Sequence, residues 1–253
     1  MVEPASRRRM PKGIVPIGDR PVLWHIMKSF ATYDHKEFIL ALGEGSTDIR
    51  LYFLQYHLHS HDIEVDLSHP VPKQLNTMQE ENWTVKFVDT GLNAHTGSRI
   101  ARCARYLDEP LFLLSYSDCL CNVNISALIE FHKQSGAVLT VTGVRPPSRF
   151  GTFSMQDKKV TGYSLEARLT GIGGYVNGGF MVANRSLLNY LEPSNECSLE
   201  RDTFVRLVNE GNVSVYPHDG YWQAIDTERD ILQLNSLVAS DQRPWLPPLG
   251  QLR

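Results

Sequence analysis

Two aspartates carry the chemistry that this 253-residue sequence offers first. Asp118 ends Tyr116-Ser117-Asp118, directly behind the apolar run Leu111-Phe112-Leu113-Leu114. Four apolar residues between a proline and a polar cluster read as a strand buried on both faces. The carboxyl end of such a strand is where open α/β sheets place their ligands. A turn aspartate that caps the following helix is the competing reading. Asp226 stands late in the chain, in Tyr221-Trp222-Gln223-Ala224-Ile225-Asp226-Thr227. Two carboxylates that meet in space can hold one divalent cation against phosphate oxygens, and sharing a hard cation sets them roughly 4–7 Å apart.

Other polar groups are less specific. Thr96-Gly97-Ser98-Arg99-Ile100 is a glycine turn opening onto a helix, which offers amides and a guanidinium to an anion; a plain helix cap is an equal reading. His57, His59, His61 and His69 invite a zinc reading, but they lie in a polar, proline-containing stretch without cysteine, which favours a solvated loop. Cys103, Cys119, Cys121 and Cys197 lack Cys-x-x-Cys spacing and read as reduced thiols of a cytoplasmic protein.

The elements that must position these groups follow from periodicity. Pro21 is expected at the first position of a helix over 22–33, with Leu23, Ile26, Met27 and Phe30 on one face. A strand over 37–42, a turn and a helix over 47–57 form the start of a β-α-β unit. Residues 58–81 are irregular. A strand over 83–91, a helix from about 96 to 106, the central strand before Asp118, a helix over 125–135 and an apolar run over 137–144 follow. The second half has short strands near 150–155, 159–164 and 175–182. A helix over 198–210, a strand over 213–216 and a helix over 228–238 capped by Asp226 or Thr227 complete the pattern.

Hydrophobic residues at 42% and charged residues at 21% are globular values that exclude wholesale disorder. A net charge of −3 argues against broad electrostatic binding to nucleic acid or anionic membrane. No apolar run reaches membrane-spanning length, and the amino terminus has no apolar signal core. Residues 1–11, with Arg7-Arg8-Arg9, read as a disordered basic tail, and 12–253 as one domain.

Several stretches in order resemble the sugar-1-phosphate nucleotidyltransferases. They are Lys12 ahead of Ile14-Val15-Pro16-Ile17-Gly18-Asp19-Arg20-Pro21-Val22-Leu23, Val88-Asp89-Thr90-Gly91, Tyr116-Ser117-Asp118, Asn177-Gly178-Gly179-Phe180 and Trp222-Gln223-Ala224-Ile225-Asp226-Thr227. Leu23-Trp24-His25-Ile26-Met27-Lys28 and Pro146-Pro147-Ser148-Arg149-Phe150-Gly151 are most similar to the glucose-1-phosphate cytidylyltransferases. The resemblance spans 12–245, and several motifs together are more specific than any one.

It implies an α/β fold with a Rossmann-like, mostly parallel sheet and helices on both faces. The implied reaction joins a nucleoside triphosphate, CTP favoured, to a hexose-1-phosphate, glucose-1-phosphate favoured, releasing pyrophosphate with the help of Mg2+. Such a reaction needs no covalent nucleophile, only charge neutralisation and alignment of two polyanions. By the resemblance, Asp118 and Asp226 are the metal ligands and Lys12 contacts phosphate. Asp89, Thr90, Gly91, Arg99 and Ser117 bind nucleotide, and Glu166, Arg168, Asn177 and Gly178 bind the sugar phosphate. Lys12 and Arg99 should then face the same cleft as the aspartates. A homo-oligomer is implied, with Leu58, Ile63, Val65 and Leu67 as contact residues.

Three departures qualify this. The family opens with a buried strand and a Gly-Gly-x-Gly-Thr-Arg loop, whereas 1–11 contain no glycine and no apolar strand. Its Gly-Asp-Gly is Ser117-Asp118-Cys119 here, and its Glu-Lys-Pro is Glu166-Ala167-Arg168; guanidinium and ammonium are not equivalent. A truncated or degenerate homologue that binds nucleotide or sugar phosphate, or scaffolds an oligomer, without turnover is therefore the alternative. An unrelated Rossmann-type regulatory module is disfavoured by the ordered motifs. The absent strand would be central, so its loss should leave an apolar slot, two unpaired strand edges and a marginally stable chain.

Overall fold

The computed structural model describes residues 10–68, 71–76, 81–145, 152–156, 159–164 and 175–246, with the backbone alone for 152–156 and 159–164. The basic stretch 1–9, and Glu166 and Arg168, lie outside the described residues.

A one-turn helix, Lys12–Ile14, leads into a minimal hairpin of β1 (Pro16–Ile17) and β2 (Arg20–Pro21). Helix α1 (Val22–Ala31) buries Leu23, Ile26, Met27 and Phe30 as their spacing predicts, and Pro21 sits at its N-cap, one position earlier than expected. Strand β3 (Glu37–Leu42) follows. The helix expected over 47–57 breaks at Gln55 into α2 (Ser46–Leu54) and α3 (Tyr56–Ser60). The irregular stretch holds a short antiparallel hairpin, β4 (Ile63–Glu64) with β5 (Lys73–Gln74). Next come β6 (Thr84–Asp89), α4 (Thr96–Cys103), β7 (Leu111–Ser115) and β8 (Cys119–Cys121). Helix α5 (Ile125–Ser135) starts where the Asn124 side chain accepts the Ala127 amide and is followed by β9 (Leu139–Val144). A hairpin of β10 (Thr152–Gln156) and β11 (Lys159–Ser164) precedes β12 (Val176–Asn184). The helix expected over 198–210 is a π-helical turn, Leu199–Thr203, running into α6 (Phe204–Asn209). The chain closes with β13 (Val213–His218), β14 (Trp222–Ala224) and α7 (Glu228–Ala239).

One sheet has the order β13-β9-β12-β7. β13 runs parallel to β9, and β12 runs antiparallel to both of its neighbours. Alternate residues of β12 serve the two faces. Phe180 and Val182 join the core under α1, α5 and α7, while Met181 and Ala183 join the core that includes Ile100 of α4 and Leu207 of α6. The sheet is therefore covered on both faces, as its apolar strands predict. β3 and β6 form a separate parallel pair.

Between these sheets lies a cavity of about 1200 Å3 lined by the full lengths of β3 and β7. Among the described residues neither strand has a hydrogen-bonded neighbour on that side. Leu23, Ile26, Met27 and Phe30 of α1 form one wall, and Ile100 and Cys103 of α4 another. Pro11 lies against Gly45, just past β3, and Gly13 lies 3.7 Å (as an added Cβ) from the Ser117 Cβ, just past β7. One short segment thus bridges both carboxyl ends, so β3 and β7 point the same way. The result is an open slot between two strand edges among the described residues.

Candidate active site

The two aspartates are brought together by a strand pairing that no local pattern announces. β8 and β14 pair antiparallel, with Cys119 opposite Ala224 and Cys121 opposite Trp222. One step further the Ile225 amide donates to the Asp118 carbonyl at 2.8 Å, so Asp226 emerges beside Asp118. Thr227, not Asp226, caps α7: its hydroxyl accepts the Asp230 amide, and Asp230 returns a bond to the Thr227 amide.

Lys12 Nζ donates to Asp118 Oδ2 at 3.0 Å and to Asp226 Oδ1 at 2.9 Å. Both oxygens sit about 3 Å from one nitrogen, so they lie within roughly 6 Å of each other, a span that oxygen ligands of a shared hard cation tolerate. The Lys12 pKa is raised, chiefly by the bond to Asp226, with burial opposing and Asp118 adding. The three side chains are 38–43% exposed. Each pair is then worth about 0–1 kcal/mol to stability, too little for the fold to require it.

Lys12, Arg99, Ser117, Asp118 and Asn177 line the cavity together. Arg99 is already engaged: its Nη1 donates to Thr90 Oγ1 (2.7 Å) and the Gly91 carbonyl (3.1 Å), and its Nη2 to the Leu92 carbonyl (3.3 Å). Burial, followed by the neighbouring Arg102, lowers its pKa. Thr90 is buried and turned inward, its hydroxyl and amide both donating to the Leu42 carbonyl at 2.8 Å. Asp89 Oδ1 accepts the Gly91 amide at 2.9 Å. Asp89, Thr90 and Gly91 thus shape the turn that Arg99 clamps, while Arg99 itself reaches the cavity.

Asn177 and Gly178 lie where β12 slips register against β9, between Asn177 and Met181. Such a bulge re-aims side chains, and here Asn177 faces the cavity. A Cβ at Gly178 would fall 2.7 Å from Val144 Cγ1 and 2.9 Å from the Thr142 carbonyl, so only glycine fits. Gly179 has φ 86°, and its missing Cβ leaves room for Cys119 Sγ. Burial raises the thiol pKa of Cys121 to about 12 and that of Cys119 further still, which keeps both protonated beside the site.

Two residues absent from the expected site occupy it. Tyr116 and Glu200 also line the cavity. The Tyr116 hydroxyl donates to Glu200 Oε1 at 2.5 Å, and Thr96 Oγ1 donates to Glu200 Oε2 at 2.6 Å. Tyr116 stands next to the recognised Ser117-Asp118, which is its signal in the sequence. Glu200 lies in an unremarkable helical stretch and carries none.

No protein-family model matches the chain. It is 36% identical over 236 residues to a probable glucose-1-phosphate cytidylyltransferase of Bacillus subtilis (strain 168), covering 93% of this chain and 91% of that protein. It is 35% identical over 236 residues to the glucose-1-phosphate cytidylyltransferase of Salmonella typhi, covering 93% and 90%. The fold is similar to that of HddC from Yersinia pseudotuberculosis, with a TM-score of 0.62, 19% identity and 92% of each chain covered. With this ordered motif set and that identity over nearly its whole length, the chain belongs to the glucose-1-phosphate cytidylyltransferase family of sugar-1-phosphate nucleotidyltransferases.

Proposed function

We propose that the chain transfers a cytidylyl group from CTP to glucose-1-phosphate, giving the nucleotide sugar and pyrophosphate, with Mg2+ as cofactor. The observation that carries this reading is the Asp118–Lys12–Asp226 cluster at the cavity mouth of a chain in this family. A phosphate oxygen of the hexose phosphate attacks the α-phosphorus of CTP in line, and the bond to the departing pyrophosphate breaks. Asp118 and Asp226 present the hard carboxylate oxygens that suit Mg2+. The ion, when bound, neutralises charge on the triphosphate. Lys12 turns its ammonium to a phosphate oxygen.

Arg99, with Asp89, Thr90, Gly91 and Ser117, serves the nucleotide side. Asn177 and Gly178 serve the sugar side, together with Glu166 and Arg168. Residues 12–253 act as one catalytic unit in the cytoplasm, where nucleoside triphosphates are made and thiols stay reduced. No described helix is long and apolar enough to cross a membrane. Leu58, Val65 and Leu67, exposed at 39%, 56% and 97%, support self-association through 58–81.

Binding without turnover is the second reading, favoured by the open slot between β3 and β7. The discriminating measurement is pyrophosphate release with Mg2+, glucose-1-phosphate and each of the four nucleoside triphosphates. Release with CTP at least about 10-fold above the others, a difference of about 1.4 kcal/mol, supports the first reading. Binding of both ligands with no release from any triphosphate supports the second.

A further inference from the structure

Glu200 joins two sides of the cavity that are far apart in sequence. Its Oε2 accepts from Thr96 at the start of α4 and from Ser198 Oγ at 3.2 Å, and its Oε1 accepts from Tyr116 at the end of β7. The Tyr116 oxygen in turn accepts from Asn177 Nδ2 at 3.2 Å. Asn177 Oδ1 accepts the Gly179 amide at 2.9 Å.

The direction of every bond in this row is forced. An ionised carboxylate can only accept, so the Tyr116 hydroxyl must spend its single proton on Glu200. Its lone pairs are then what Asn177 meets, and the amide must turn its nitrogen toward Tyr116. The Gly179 amide, which can only donate, fixes the other end of Asn177 in the same sense. Burial tends to raise the Glu200 pKa, but hydrogen bonds from Thr96 and Tyr116 outweigh it and keep the group ionised. A phenol is protonated at neutral pH, so Tyr116 remains a donor to Glu200.

Asn177 is left with one N–H and one oxygen lone pair not used by these bonds. A donor and an acceptor side by side match a sugar hydroxyl, which both accepts and donates. We infer that Glu200 is a positioning residue that, through Tyr116, sets the orientation of the Asn177 amide for the hydroxyls of the hexose. This rests on the nucleotidyltransferase reading for the identity of the ligand. Without an acceptor at position 200 the Tyr116 hydroxyl is free to donate to Asn177 instead, and the amide loses its fixed sense.

Calorimetric titration of the full chain with glucose-1-phosphate and, separately, with inorganic phosphate tests this. Glu200→Ala and Tyr116→Phe are each expected to weaken glucose-1-phosphate binding by about 10-fold, the loss of about one hydrogen bond. The double variant should lose no more than either single one, and phosphate affinity should stay unchanged. Glu200→Gln keeps an acceptor oxygen and should bind within about 3-fold of the parent chain. Additive losses, or equal losses for phosphate, would overturn the positioning role. A second readout is hydrogen exchange of the Asn177 side-chain amide by NMR, which should quicken in Glu200→Ala and not in Glu200→Gln. If the parent chain binds no hexose phosphate, the functional reading fails. The amide exchange then decides the relay alone, and unchanged protection in Glu200→Ala refutes it.

Discussion

Lys12 Nζ sits 3.0 Å from Asp118 Oδ2, and the same nitrogen reaches Asp226. The ammonium therefore occupies the space between the two carboxylates, and a divalent cation held by both would compete with it for the same oxygens.

Lys12→Met should tighten Mn2+ binding by about 3–10-fold, because each partly exposed ion pair displaced by the metal costs about 0–1 kcal/mol. Stability should change by less than about 1 kcal/mol. Electron paramagnetic resonance of free Mn2+ during a titration gives the affinity. Weaker Mn2+ binding in the variant would remove the competition.

Arg99 clamps the turn after β6 through Thr90, Gly91 and Leu92 while reaching the cavity. Arg99→Ala is expected to weaken nucleotide binding by about 1.5–3 kcal/mol, the worth of a charge-assisted contact. Its melting temperature should also fall, because the turn loses its partner. Calorimetry with CTP decides the first point, and an unchanged affinity would leave Arg99 with the turn alone.

The slot between β3 and β7 predicts a gain on filling. A form of the chain bearing an apolar strand of about six residues and a glycine-rich turn ahead of Met10 should pair both open edges. Recovering about 3 kcal/mol would raise the melting temperature by roughly 6–12 °C. Turnover should rise with it. Residues 1–9 do not suit the role, since a glutamate, a proline and three arginines would enter an apolar groove. Equal melting temperatures and equal turnover for the two forms would mean that another segment fills the position.

His25 predicts a pH dependence of stability. It is buried at 1% exposure, its Nε2 donates to the Ile17 carbonyl at 2.9 Å, and Trp245 Nε1 donates to its Nδ1 at 3.3 Å. The Trp245 bond requires a bare Nδ1 and hence the neutral ring, and burial outweighs the Ile17 bond to hold the pKa below the ordinary 6.5. The unfolded chain takes up this proton as pH drops below about 6.5, whereas the folded chain does not until lower pH. The stability contributed by neutral His25 is thus fully present above that value and is lost as pH falls through the folded pKa. Burial depresses His35 and His132 in the same direction. Melting temperature should fall between about pH 7 and pH 5, less steeply in His25→Gln. Identical slopes would assign the effect to the other histidines.

Sequence by itself determined the elements whose signals are local. The apolar spacing of α1, the apolar runs of β3, β7 and β9, and a cap of α7 at Asp226 or Thr227 all follow from periodicity and side-chain chemistry within a few residues. Motif order brought Lys12, Asp118, Asp226 and Asn177 forward as a set. The tertiary structure alone decided how they meet. Register between β8 and β14 puts Asp226 beside Asp118, and a bulge in β12 turns Asn177 into the cavity. It also spends Thr90 on the Leu42 carbonyl and recruits Glu200, which no motif marks, through bonds to Thr96 and Tyr116. Pairing register and hydrogen-bond partners depend on groups distant along the chain. A local pattern carries the propensity of a segment but not the identity of the segment that will lie against it.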